Sequence, residues 1–305
     1  MAGSEIITVE GRKIKLSNPE KLLWPEVGIR KIDYLAHMIE LAPYALPHAE
    51  KRLLTAIRYP DGIHGKRFYQ KNKPAYTPQW VHTQEWNEIT YVVMDSLPTL
   101  CWLVNLAVLE FHTSFNEFTR EDCPTAIVFD LDPSEGQGFE DVVEVALLIK
   151  ETLDSLSIQS LIKTSGATGL QIYIPVGGRY DYDAARSINE FFGRYFSQKY
   201  PHKITIERIV DKRGGKLYFD YLQMWQGKTI TMVYSPRTTQ MATVSTPVEW
   251  HEVEKGIRPE DFTLNNALER LKKKGDLFSP LLSDARQESL DDLLAQINPG
   301  LKSVH

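Results

Sequence analysis

Apolar and polar positions alternate along residues 5–16, EIITVEGRKIKL, on either side of Glu10-Gly11, and this predicts a short β-hairpin. Ser17-Asn18-Pro19-Glu20 reads as a capped helix start, because Ser or Asn accepts from free N–H groups and Pro suits the first turn. Ile32, Leu35, Ile39 and Ala42 recur at helical spacing within 30–46. The apolar run over 97–110 predicts a buried helix with His112 at its end, and TAIVFDLDP that follows predicts a strand over 125–131. Phe139 to Leu156 is amphipathic, with Val142, Val145, Ala146, Ile149 and Leu153 on one face. SLIKTS and LQIYIPV read as two strands joined by a Gly-rich turn, and 181–200 as a helix. ITIERIV, KLYFDYL and TITMVYS predict further strands, and 263–274 a charged helix. Strands and helices mix without a regular βαβ rhythm, so the class is α+β.

Composition adds bounds. The 305 residues suffice for one large domain or two modest ones; 42% are hydrophobic and 25% charged, which predicts a sizeable core. A net charge of -5 argues against coating nucleic acid by bulk charge and leaves room for a local basic groove. Two cysteines without a CxxC pair disfavour zinc and disulfides; Cys101 reads as a buried hydrophobe. No stretch approaches ~18 uninterrupted apolar residues. The expectation is a soluble, reduced, cytoplasmic protein with no membrane contact.

The chemistry concentrates in carboxylates. On a strand, residues two apart share a face, ~6.5–7 Å apart. Asp130 and Asp132 therefore lie together, and Phe129 and Leu131 opposite. A DxD pair alone more often marks a strand emerging into solvent. A third acid, Asp220, sits in another apolar segment; a strand pairing there beside 125–132 would bring three carboxylates to one place, the layout of two-metal phosphoryl transfer with Mg²⁺ or Mn²⁺.

Other groups are weaker alone. Lys163-Thr-Ser-Gly-Ala-Thr-Gly-Leu170 is not a Walker A loop, but its N–H groups and the hydroxyls of Ser165 and Thr168 suit a phosphate. Arg213, Lys216 and Arg237 lie where they would neutralise a triphosphate, or are solvated surface charges. His112 is as readily structural as functional. Gly65 to Lys73 interleaves cations with Phe68 and Tyr69, a pattern that follows a strand and stacks on its bases. Nothing in the spacing singles out Lys21 and Lys31.

Taken in order, N-PEKLLWP, YPDG-I-G--F-QK, LEFH, VFDLDP with FEDVVEVALL, KTSG--GL, GK-Y-DY and YSPR---ATVSTPVEW resemble the polymerase domain of the bacterial ligase D system, in the archaeo-eukaryotic primase superfamily. The resemblance covers roughly residues 5 to 280. It implies a primase-polymerase fold, with two sheet-containing halves and the active site in the cleft between them. The corresponding domain would be residues 1–283, with a short acidic helix and tail at 284–305. Carried over by position, Asp130, Asp132 and Asp220 would bind two divalent ions, Mn²⁺ or Mg²⁺. His112, Ser165, Gly166, Thr168, Arg213, Lys216 and Arg237 would line the incoming nucleotide. Lys21 and Lys31 would receive a downstream 5′-phosphate, and Phe68 and Tyr69 would pack on DNA. The implied activity is templated addition of ribo- or deoxyribonucleotides to DNA ends and short gaps in double-strand break repair. NTPs or dNTPs, 5′-phosphorylated DNA, Ku and a separate ATP-dependent ligase are the implied partners, since no KxDG ligase motif is found. The implied location is cytoplasmic, on the nucleoid. Where the family commonly has SG-KGLH, this sequence has SGATGLQ, with Thr168 for a lysine and Gln171 for a histidine. That departure keeps a second reading open, an end-binding and synapsis module with weak catalysis. A de novo primase is a third.

Overall fold

The computed structural model describes residues 4–283, 287–298, 300 and 303. The expected tail at 284–305 lies partly outside the described residues. Two compact units emerge, each assembled from several chain segments. The first comprises residues 1–114, 229–246 and 260–276, the second 115–228, 247–259 and 277–305.

The first unit opens with the expected hairpin, Ser4–Val9 against Arg12–Ser17. Glu10 and Gly11 both take positive φ, 47° and 75°, as a tight two-residue hairpin turn requires. The helix start expected at Ser17 is not formed. Ser17 ends the strand with its N–H on Asn105 Oδ1, Asn18 turns the chain at φ 49°, and a short strand, Leu22–Trp24, follows. The helix begins at Lys31 and runs to Ala45, burying Tyr34, Leu35, Met38 and Leu41. Its start is closed by Asp33, whose carboxylate accepts from the Arg30 N–H.

The main sheet of this unit runs Thr229–Thr231, Val108–Ser114, Leu54–Arg58, Ile89–Val92, Thr83–Trp86, with Phe68–Gln70 also paired to Leu54–Arg58. The expected long helix ends early. It spans Leu97–Asn105, the chain reverses through Ala107 at φ 55°, and Val108–Ser114 is a strand that carries His112. Leu100, Val104, Val108, Leu109 and Phe111 are all fully buried. The apolar run continues through the turn into Val108 and Leu109, so helix and strand read as one segment before the alternation of Glu110 and His112 begins.

The second unit holds a sheet in the order Ile204–Thr205, Leu217–Phe219, Ala126–Asp132, Leu170–Pro175, Leu161–Thr164, Pro247–Val248, antiparallel except for its first pair. Helices Phe139–Ser155 and Tyr182–Lys199 occupy the positions the sequence pattern gives them, the first burying all five of its expected apolar residues. Phe129 packs against Phe192, Phe196 and Phe219 at centroid distances of 5.2, 6.5 and 5.0 Å. The expected strand ITIERIV stops after Thr205. There Thr205 Oγ1 accepts from Glu207 N–H and the Glu207 carboxylate from Ile209 N–H, so side chains take donors that a ladder would need.

The described part of the C-terminal segment is packed. Helix Asp291–Ile297 buries Leu294, and Leu290 N–H donates to the Tyr180 hydroxyl at 2.6 Å, which donates in turn to Asp291 Oδ1 at 2.9 Å. Both cysteines are free and buried. Among the described residues no helix is long and apolar enough to cross a membrane.

Candidate active site

Asp130 and Asp132 close the Ala126–Asp132 strand, both half-buried, while Phe129 and Leu131 between and beside them are fully buried on the opposite face. The apolar face is thus anchored on the Tyr182–Lys199 helix, and the carboxylates are left on the other side of a rigid element. Asp220 follows the Leu217–Phe219 strand, and its backbone N–H donates to Asp130 O at 3.0 Å. The pairing expected from sequence is therefore present, although Asp220 lies one residue past the strand and caps a 3₁₀ turn. Its Oδ1 accepts from Leu222 N–H at 3.1 Å and from the Tyr218 hydroxyl at 3.0 Å.

Burial, and then the charges of Asp132 and Asp220, push the Asp130 carboxyl well above the usual range; a hydrogen bond from Gln171 and the charge of Lys163 oppose this. Among the described residues no three His, Cys, Asp or Glu side chains close on a point that would hold a metal unaided. The donor set nonetheless fits a hard divalent ion. Such ions take one or two carboxylates and complete their shell with water and phosphate oxygens rather than a protein cage. A cation also removes the repulsion that raises Asp130.

Antiparallel register puts Gln171 opposite Asp130, and Lys163 opposite Gln171. Gln171 Nε2 donates to Asp130 Oδ1 at 2.9 Å. Lys163 is fully buried, with its ammonium 5.9 Å from the Tyr173 ring centroid. A polar row thus crosses the sheet behind the carboxylates. In the Gly-rich turn, Ser165 Oγ accepts from the N–H groups of Ala167 and Gly169. Two of the donors expected to cradle a phosphate are spent inside the turn. Gly166 supplies its positive φ, 75°, and Thr168 is exposed. At Gly169 a Cβ would stand 2.5 Å from Leu131 O and 3.4 Å from Asp132 Oδ1, so a side chain there would collide with the strand of the carboxylates.

Arg213 stacks on Tyr218, its guanidinium carbon 3.9 Å from the ring centroid, and donates to Glu207 O. It is tied through Tyr218 to Asp220. Lys216 is half-buried, and its carbonyl accepts from Ser134 Oγ at 2.5 Å.

The first unit gathers His112 and Arg237 around a residue that sequence reasoning missed. Glu110 Oε2 lies 3.3 Å from His112 Nε2 and 3.3 Å from Arg237 Nε, and its Oε1 accepts from the Thr238 hydroxyl at 2.7 Å. Burial works against the Glu110 charge, but the His112 hydrogen bond, Arg237 and Thr238 outweigh it and bring its pKa down to about 2. Glu110 and His112 are two apart on one strand, so the signal was a shared face, hidden by the helical reading of that stretch.

Lys31 lies within reach of the charges of Lys21 and Arg58 in this unit. Lys21 Nζ donates to Pro60 O and Asp61 Oδ1 at 2.7 and 2.8 Å. Lys31 is buried and donates to the carbonyls of Ser17 and Asn105. Burial, with the charges of Lys21 and Arg58, lowers its pKa to about 8. Phe68 and Tyr69 are exposed, each with a cation over its ring, Lys66 at 5.5 Å and Arg67 at 5.4 Å.

The family model described as LigD, primase-polymerase domain, matches residues 30–278. The chain is 36% identical over 286 residues to the bifunctional non-homologous end joining protein LigD of Bacillus subtilis, covering 93% of this chain and 47% of that protein. It is 29% identical over 281 residues to the multifunctional non-homologous end joining protein LigD of Mycolicibacterium smegmatis, covering 90% and 36%. The chain thus spans half or less of the curated relatives it matches. Among solved structures, the polymerase domain from Mycobacterium tuberculosis ligase D in complex with DNA superposes with a TM-score of 0.82 at 28% identity, covering 89% of this chain and 99% of that one.

Proposed function

The chain belongs to the LigD primase-polymerase domain family, and from that premise we propose that it is a metal-dependent, template-directed nucleotidyltransferase of DNA break repair. Its substrates are DNA ends and short gaps with a 5′-phosphate, and ribo- or deoxyribonucleoside triphosphates. Ku and an ATP-dependent DNA ligase are its proposed partners.

The observation that carries the reading is that Asp130 and Asp132 share one face of a strand while Asp220, just past the paired strand, is tied by its backbone N–H to Asp130 O. These three residues would hold Mn²⁺ or Mg²⁺, which when bound acidifies the primer 3′-hydroxyl and neutralises the triphosphate. The chain's own contribution is positioning and charge. Glu110 fixes the directions of His112 and Arg237, which offer donors to the triphosphate oxygens. Arg213, held by Tyr218, and Lys216 add positive charge. Ser165 and Gly166 shape the Gly-rich turn that packs on the strand of the carboxylates, and Thr168 is the exposed position of that turn. Lys21 and Lys31, with Arg58, take the 5′-phosphate, and Phe68 and Tyr69 stack on exposed bases.

The neutral Thr168 and the internal use of the turn's N–H groups favour a second reading, an end-binding module with weak catalysis. One assay separates the two: extension of a gapped, 5′-phosphorylated duplex with Mn²⁺, beside an Asp130→Ala/Asp132→Ala variant. Templated addition that the variant loses supports the polymerase. Absent addition, with binding that requires the 5′-phosphate, moves the function to end binding.

A further inference from the structure

We propose that Gln171 is a positioning residue for Asp130. The proposal rests on the reading of Asp130 as a metal ligand. Gln171 is 3% exposed and lies opposite Asp130 in the antiparallel pair of strands. Its Nε2 donates to Asp130 Oδ1 at 2.9 Å, while its Oε1 is buried without a hydrogen-bond partner.

The bond and the stranded oxygen have one cause. A side-chain amide presents either its NH₂ or its carbonyl oxygen to a neighbour. With a cation bound and Asp130 ionised, Gln171 turned the other way would set an oxygen against a carboxylate. The observed orientation satisfies Asp130 and leaves the amide oxygen unsatisfied, which is unfavourable in a buried setting. Asp130 therefore dictates the amide's direction, and the amide in turn holds Oδ1 and fixes the plane in which Oδ2 is presented.

The mounting is rigid. Leu170, Ile172 and Ile174 on the same strand are fully buried, and so is Lys163, opposite Gln171 on the next strand. Gln171 thus sits in mid-sheet between Asp130 and Lys163, with its amide held by Asp130. Groups that orient a metal ligand in this way typically change metal affinity by about 10–100-fold when removed. An isolated structural hydrogen bond would not.

The test uses the full chain without nucleotide. Mn²⁺ binding is followed by the electron paramagnetic resonance signal of the free ion, and thermal unfolding is followed without metal. Gln171→Leu is expected to weaken Mn²⁺ binding by about 10–100-fold, with extension recovering at high Mn²⁺. Gln171→His, which keeps an N–H donor, is expected to restore most of the affinity. If the leucine variant unfolds, Gln171→Met, of similar length and without a donor, carries the test. Unchanged Mn²⁺ affinity in a folded Gln171→Leu or Gln171→Met, with binding lost in Asp130→Ala, overturns the positioning role and leaves the metal reading standing. Undiminished Mn²⁺ binding in Asp130→Ala overturns both.

Discussion

The backbone N–H of Asp220 donates to the carbonyl oxygen of Asp130 at 3.0 Å, so the main chain, not a side chain, holds these two acids beside each other. Replacing either carboxylate leaves that bond in place. The side chains can therefore be tested without dismantling the sheet.

Asp220→Asn is expected to fold with nearly unchanged stability and to lose primer extension by about 10²-fold or more, the scale on which a preorganised electrostatic group acts. Tyr218→Phe removes only the hydroxyl that steadies Asp220, and should cost about 1 kcal/mol of stability with a smaller loss of extension. Urea unfolding and gap filling on the same preparations measure both. Equal losses of extension in the two variants would remove Asp220 from the metal site.

Gly169→Ala places a methyl group 2.5 Å from the Leu131 carbonyl. Backbone cannot swing aside as a flexible side chain does, so the turn or the strand must shift. The expected cost is about 1–3 kcal/mol, as for overpacked interiors, read as a lower urea midpoint. Extension should fall further than stability alone explains, because the strand that shifts carries Asp130 and Asp132. Thr168→Ala, at the exposed neighbouring position, is the control and should leave stability within about 0.5 kcal/mol.

Glu110 gives a pH signature. Its pKa falls from an ordinary 4.5 to about 2 on folding. Between those values the unfolded chain binds the proton and the folded chain does not, so stability falls as the solution is acidified through this window. The contribution is fully present above about pH 4.5 and lost by about pH 2. Its size is a few kcal/mol, from about 1.4 kcal/mol per pKa unit. Glu110→Gln should flatten the acid limb of the stability profile measured by urea unfolding from pH 5 to 2. A profile as steep as that of the parent protein would show that other carboxylates govern it.

The fold and the site were unequally visible in the sequence. The Phe139–Ser155 and Tyr182–Lys199 helices were legible because each has a solvent face that sets a period of 3.6. Asp130 and Asp132 stood out because charges interrupt an otherwise apolar strand. The Val108–Ser114 strand was not legible, since Ala107, Val108 and Leu109 extend the apolar run of the preceding helix and only Glu110 and His112 mark the alternation. With that strand misread as a helix, the shared face of Glu110 and His112 disappeared too. Gln171 showed only as a departure from the family's pattern; its bond to Asp130 depends on strand register, which no local signal encodes.

Lys31 gives the last prediction, at the other end of the pH scale. Its pKa drops from 10.5 to about 8 on folding, first through burial and then through Lys21 and Arg58. Here the unfolded chain holds the proton more tightly, so stability should rise as pH climbs from about 8 towards 10.5. Lys31→Met should remove that rise, and the difference between parent and variant isolates it from the rest of the chain. A bound anion has the opposite leverage. A 5′-phosphate beside Lys21, Lys31 and Arg58 favours the charged amine, so the preference for 5′-phosphate over 5′-hydroxyl ends should weaken as pH passes about 8. Fluorescence anisotropy with the two kinds of end, from pH 7 to 9.5, reads this directly. A preference flat across that range, or one that survives in Lys31→Met, would leave Lys31 as the anchor of Ser17 and Asn105 alone and return the phosphate to Lys21 and Arg58.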